Sequence, residues 1–518
     1  MFTSKPYCNR LIIVFTLFLG ITTLLNSSAQ ENLLLFPDLY YKVEGVYLKS
    51  PGYHSALYPP QISLRQKKLL VDSLYGSRDK DFINYEKGNT SLSINPILQS
   101  SFRTGSTFLQ HYVAGFRLES EFSSKFSFDL NYSFHLLTNH AFPNSRLDSA
   151  GIVDHWGRAV NINKSLEFFN SINGKITYTP NRFLSFQLGN DKHFWGDGYR
   201  SLFISDNAPS YPFFATTLLI WNIKYTSMVT ILRDDTLGNY NKLLTKYASM
   251  HFLSWNVNKR LNINVFEAVV WRSRNDSANT RGFSLAYLNP FIFYRPLEYN
   301  LGSPDNVLIG IGGHYLFGNQ GMIYGQFMLD EFYYKEIIKN KGWWAIKDAF
   351  QLGVKWFNVC KLKDLYLQLE YNQARPYTYG HDYPLQNYGY MLQPLAHPLG
   401  TNFREAFMIM RYSKSRWFLN ARFTYARYGT EPGGKTVGGD IYRSSKDFAK
   451  TYGNFIGQGI TTVIFEQEVT LSRILQSRWG LIAEAGVHNA FIRLPEKQQR
   501  IYISFGIKTL LYREEKLF

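Results

Sequence analysis

The chain has 518 residues, a formal charge of +17, 45% hydrophobic and 17% aromatic residues, and two cysteines. So few cysteines, one of them (Cys8) ahead of the first apolar run, exclude an intramolecular disulfide framework. Beyond Leu25 no apolar run is long enough to cross a membrane as a helix.

The N-terminus reads as a secretory signal over residues 1–29. Lys5 and Arg10 supply the positive start, Leu11 to Leu25 the apolar core, and Ser27-Ser28-Ala29 a small-residue cleavage site. This segment holds two basic groups and no acidic one, so the mature chain keeps a charge of +15 and a single cysteine, Cys360. Residues 30–89 are rich in Tyr, Pro and Lys and lack repeated alternation. Within them Ser63 is placed to cap a short helix through Tyr75, ended by Gly76. The stretch is expected to be a periplasmic or lumenal lead-in, or else a linker.

From residue 90 onward the pattern has period two. Tyr112, Ala114, Phe116 and Leu118 oppose Gly115, Arg117, Glu119 and Glu121. Trp417, Leu419, Ala421, Phe423 and Tyr425 oppose Asn420, Arg422 and Thr424. Trp479 to Val487 and Val463 to Leu471 repeat the scheme. Successive strand side chains point to opposite faces, so each segment has one oily and one polar face.

Strand centres fall near Ile94, Phe116, Leu130, Ile176, Phe186, Ile220, Val229, Phe252, Val265, Ile309, Gly325, Gly353, Leu367, Met408, Ala421, Phe465, Ala483 and Phe505. The gaps between them alternate. Even gaps are tight (SS, TPN, TS, NK, GNQ, SKS), whereas gaps three, five, nine, thirteen and fifteen run to tens of residues. Alternating turns and loops mark a transmembrane β-barrel, because lipid leaves no partner for an unpaired backbone group and only closure satisfies every strand. The expected fold is all-β: a closed antiparallel barrel of about eighteen strands over 90–518. It would have both termini in the periplasm and long loops outside. A secreted β-sandwich would show the same alternation with its apolar face inward. Charges on the polar face favour a wet lumen.

Three loop blocks carry candidate ligand groups. The first, Leu188 to Pro212, offers Trp195 as a stacking face and Asp197, Arg200, Asp206 and Asn207 as hydrogen-bonding groups; the competing reading is a packed plug. The second places Arg295, Asp330 and Glu331 as a lumenal ion-pair network. The third runs from Glu370 to Glu405 and offers Arg375, Tyr377, His397 and Arg404, stiffened by prolines.

Other motifs lead nowhere. Gly429 to Thr436 matches a phosphate-loop string, but a half-polar strand precedes it and Val437-Gly438-Gly439-Asp440 follows it, so the helix that the chemistry needs is missing. His381, Asp382 and His397 lack zinc-site spacing. No glycine-flanked nucleophile elbow occurs. Neither cofactor, metal, enzyme activity nor nucleic acid is expected.

The strings FWGDGYRSLFISDNAPSYP and QPLAHPLGTNFRE resemble the Wzi-like capsule-assembly outer-membrane barrels, and especially the RemB-like gliding-motility branch of Bacteroidetes. The resemblance covers nearly the whole mature chain. It implies an outer-membrane barrel of about eighteen strands that holds capsular polysaccharide at the surface, or, for the RemB-like branch, serves surface motility or adhesion. No family sugar-contacting residue is carried over. Together with the basic charge, these readings give an expected non-enzymatic binder of acidic surface polysaccharide, seated in outer-membrane lipid. The alternatives are a solute channel, a barrel component of the gliding or protein-secretion machinery with protein partners, and a membrane-embedded hydrolase.

Overall fold

A computed structural model describes residues 53–58, 64–75, 79–105, 108–138, 151–163, 166–234, 243–273, 282–290, 305–331, 333–339, 341–494 and 497–509, with 31–32, 41–42, 44–45, 61–62 and 296 besides. The expected signal segment, Ser63, Arg295 and the tail after Thr509 lie outside the described residues.

Eighteen strands form one closed antiparallel ring. They begin with β1 (Thr90–Thr104), β2 (Leu109–Glu121), β3 (Phe126–Thr138), β4 (Leu166–Asn181), β5 (Leu184–Asp191) and β6 (Tyr211–Ile220). Next come β7 (Ile223–Asp234), β8 (Leu244–Asn256), β9 (Leu261–Arg272), β10 (Asn306–Phe317), β11 (Gly321–Glu331) and β12 (Lys347–Phe357). The last are β13 (Leu365–Ala374), β14 (Phe403–Lys414), β15 (Trp417–Thr430), β16 (Ile460–Gln476), β17 (Leu481–Arg493) and β18 (Lys497–Thr509). Each strand pairs with its chain neighbour, and β18 returns to β1 with Ile503 opposite Thr104. Every expected centre falls in its own strand, though Ile220 is the last residue of β6 and Trp479 lies in the turn before β17.

The faces are inverted relative to a water-soluble fold. On β2, Ala114 and Phe116 are exposed while His111, Arg117 and Glu119 are buried. Ile176, Leu188, Phe214, Ile309, Leu369, Phe465 and Ile503 likewise point outward and stand exposed. Such an exposed apolar band rules out the sandwich, whose oily faces would meet, and fits a lipid-facing wall. At the turn end, Phe122, Phe126, Phe183, Trp221, Trp255, Trp356 and Trp417 are exposed and make an aromatic girdle for the membrane interface. The protein is an outer-membrane barrel.

The lead-in is built into this wall. Helix α1 (Leu64–Tyr75) spans the stretch expected between Ser63 and Gly76; Leu64, Lys67 and Val71 share one buried face. It docks near the turn end: the Leu64 amide donates to Glu121 at 2.7 Å, Lys67 pairs with Glu119, and Arg478 with Asp72 at 2.7 Å. Asp79 then accepts from Arg416 at 2.8 Å and from the Ser477 hydroxyl at 2.6 Å, both on turn-end segments. Residues 53–58 instead enter the lumen, where Leu57–Tyr58 pairs with Phe194–Trp195.

Candidate functional site

The centre of the barrel is packed, where a wet lumen was expected. Loop 192–210, between β5 and β6, folds inward and many of its polar groups pair with one another and with the wall. Phe203 stacks on Phe266 at 4.9 Å, and Trp195 lies 5.4 Å from Phe252. Gly310 makes room for this: a Cβ there would lie 2.3 Å from the Phe203 ring. Gln326 accepts from the Leu202 amide at 2.7 Å and donates to the Trp195 carbonyl at 3.1 Å.

The charges of the plug are paired just as closely. Arg200 meets Glu405 with two nitrogens at 3.2 and 3.3 Å, and His397 lies 2.8 Å from the same carboxylate. Glu370 accepts from the Tyr199 and Arg200 amides at 2.7 and 3.0 Å and from the Tyr324 hydroxyl at 2.6 Å. Asp197 takes Ser55 and His314, the latter at 3.0 Å. Burial alone would raise the Asp197 carboxyl, but His314, Lys355 and Ser55 outweigh it and hold it below its ordinary value.

The candidate residues therefore divide. Trp195, Asp197, Arg200 and His397 are buried members of one network. Asn207 holds the plug to the covering loop, donating to the Pro394 carbonyl at 2.9 Å, and the Asp206 carbonyl accepts from Lys192 at 3.2 Å. Arg375 donates to the Ile346 carbonyl at 3.0 Å and faces Asp348 at 3.5 Å. Arg404 is exposed on the outward face, because it neighbours the inward Glu405 on β14. Asp330 accepts from the Tyr379 amide at 2.8 Å and Glu331 pairs with Lys347 at 3.2 Å.

Above the plug the long loops are stitched into a cap. Tyr379 of loop 375–402 donates to the Leu202 carbonyl at 2.9 Å. Tyr377 donates through its hydroxyl to the Thr436 carbonyl at 2.8 Å and through its amide to the Gly438 carbonyl at 3.1 Å. Loop 332–346 joins at Trp344 to Thr451 (3.0 Å) and at Gly453 to Lys341 (2.8 Å). The phosphate-loop string ends up here, and the donors at its C-terminal end are already used. Glu431 accepts from the Thr436 hydroxyl and the Val437 and Gly439 amides at 2.8 to 2.9 Å. The chain's own carboxylate fills the nest a phosphate would need.

A row of rings crosses this cap. Tyr333 lies 6.0 Å from Trp343, Trp343 6.3 Å from Trp344, and Trp344 stacks on Phe448 at 4.6 Å with Tyr377 edge-on at 5.8 Å. Tyr333 is 51% exposed and Tyr452 44%. Lys335, Lys341 and Lys450 stand exposed around the row. Sequence reading singled out Tyr377 at its base but passed over Trp343 and Trp344; the paired indoles of KGWW, between charged neighbours in a loop, were the available signal. Among the described residues no group of three or more His, Cys, Asp or Glu is placed to hold a metal ion.

The plug and cap also set a pH response. Burial holds the imidazoles of His155, His193 and His381 down to about 4 and His54 down to about 3, with Lys192, Lys175, Lys347 and Lys224 adding to it in turn. Each binds its proton more readily when unfolded, near 6.5. The stability they contribute is full above that pH and drains as pH falls towards 4. The melting temperature in detergent should therefore drop steadily between pH 6.5 and 4.5. A flat profile over that window would refute the burial of neutral imidazoles.

The fold and site define a closed, plugged outer-membrane barrel with an aromatic cap. No family model matches the chain, and no curated protein matches it. Among solved structures it is similar to Wzi, an outer membrane protein involved in group 1 capsule assembly in Escherichia coli and a carbohydrate-binding β-barrel. That likeness has 11% identity and a TM-score of 0.56 over 93% of this chain and 98% of that one. OprD of Pseudomonas aeruginosa (8%, TM-score 0.42, covering 83% and 97%) and OccAB2 of Acinetobacter baumannii (10%, 0.42, 81% and 97%) are also similar. The expected likeness to Wzi holds at the level of the fold.

Proposed function

We propose that this barrel is a non-enzymatic anchor for acidic surface polysaccharide, held on the aromatic cap rather than in the lumen. One observation carries the reading: the ring row from Tyr333 to Phe448 lies on an ordered surface, with exposed lysines beside it, above a packed barrel centre. Sugar C–H faces stack on fixed rings at little entropic cost. Lysines attract uronate or phosphate groups, less as salt rises. Wzi, a carbohydrate-binding barrel, supports the reading by analogy of fold alone. The filled centre favours it over a passive solute channel. No residue is given a catalytic role.

Purified Trp343→Ala/Trp344→Ala barrel should bind a polyuronate probe at least about tenfold more weakly than wild type, since each lost stack is worth roughly 1 kcal/mol. Its melting temperature should stay within a few degrees. Equal binding by the two proteins would remove the cap from consideration. In cells, the same variant scored for capsule retention and surface spreading separates a polysaccharide anchor from a RemB-like motility component or a partner of secretion machinery.

A further inference from the structure

The outer wall carries an arrangement that neither the plug nor the cap uses. Leu352, Tyr371, Ala406, Tyr425 and Phe465 are direct cross-strand partners running from β12 to β16, all on the lipid side. Ala406 is the small member, set between two tyrosines. Around it opens a groove of about 480 Å³, which continues turnward past Leu369, Met408 and Phe423.

Directly above, at the loop end, the outward row turns basic. Arg404 and Arg427 are direct partners, and the same row continues through Val463 to Arg493 and Lys497. All four cations are exposed, and none pairs with a carboxylate among the described residues. Two residues of strand, roughly 7 Å, separate this row from Ala406. Like charges placed directly opposite each other destabilise a sheet, so the Arg404–Arg427 pair is best explained by an anion between them. Arg493 lies two strands further on, roughly 10 Å from Arg427. That spacing suits a headgroup with more than one anionic group. Guanidinium forks grip phosphate oxygens in bidentate fashion, and the loop end of a barrel faces the outer leaflet.

We infer that this wall holds one multiply phosphorylated, acylated lipid of the outer leaflet, with phosphate on Arg404 and Arg427 and an acyl chain along the groove floored by Ala406. The site stands apart from the polysaccharide reading.

The test is native mass spectrometry of the full-length protein in mild detergent, with diphosphorylated lipid A as the probe and its dephosphorylated form as the comparison. Wild type should retain one diphosphorylated molecule and little of the comparison lipid. Arg404→Gln/Arg427→Gln should lower occupancy about tenfold, and Ala406→Trp, which fills the groove without touching charge, should do the same. Lys414→Gln/Arg473→Gln, outward at the opposite rim, should bind as wild type does. Heat-modifiability on gels confirms that each variant is folded. Undiminished binding by both site variants, or equal retention of the dephosphorylated lipid, would overturn the assignment.

Discussion

Arg200→Ala should turn a silent barrel into a fluctuating channel. Arg200 is the plug's bidentate contact with the wall, and Glu405 is fully buried beneath it. Removing the guanidinium leaves that carboxylate with His397 and one long contact from Asn372 at 3.4 Å. Breaking a buried pair from one side costs about 3–5 kcal/mol, because a charge is stranded without water. That is enough to populate undocked states of loop 192–210 by several orders of magnitude. In planar bilayers the wild type should show no steady conductance, whereas the variant should flicker between closed and open levels. Gly310→Val should act in the same direction by colliding with Phe203. If Arg200→Ala stays closed while Gly310→Val opens, apolar packing rather than the ion pair holds the plug. A steady large conductance from the wild type would contradict the packed centre itself.

Leu188→Lys should destabilise the barrel far more than its size suggests. Leu188 sits on β5 and is 61% exposed, which in water would make the change nearly free. On a lipid-facing wall a lysine near the midplane costs about 2–4 kcal/mol. Unfolding by denaturant in lipid vesicles should move its midpoint accordingly. The same substitution at Trp221, 89% exposed in the turn girdle, should cost about 1 kcal/mol or less, since charge there reaches water. Equal effects at the two positions would mean that the exposed apolar band does not face lipid.

These outcomes bear on how the fold is encoded. All eighteen strands were legible because their information is local: period-two alternation and short turns need no partner to be read. Helix α1 was legible from local signals too, the Ser63 cap and the Gly76 stop, but its buried face of Leu64, Lys67 and Val71 was not. The direction of each strand face was less plain where both faces are apolar. In Phe403 to Tyr412 of β14, Phe407 and Ile409 point inward and Met408 and Met410 outward, so alternation did not place Arg404 on the lipid side.

By itself, then, the amino-acid order determined the number of strands, their turns, and which end carries the loops. What Trp195 and Arg200 pair with was decided only by closure of the ring. Their partners Gln326, Glu370 and Glu405 lie far away in sequence and converge on loop 192–210 only inside a closed barrel. The row of Tyr333, Trp343, Trp344 and Phe448 is likewise a product of loops meeting over that plug. Local periodicity is set by backbone geometry, whereas the pairing of remote polar groups depends on which of them the fold removes from water together.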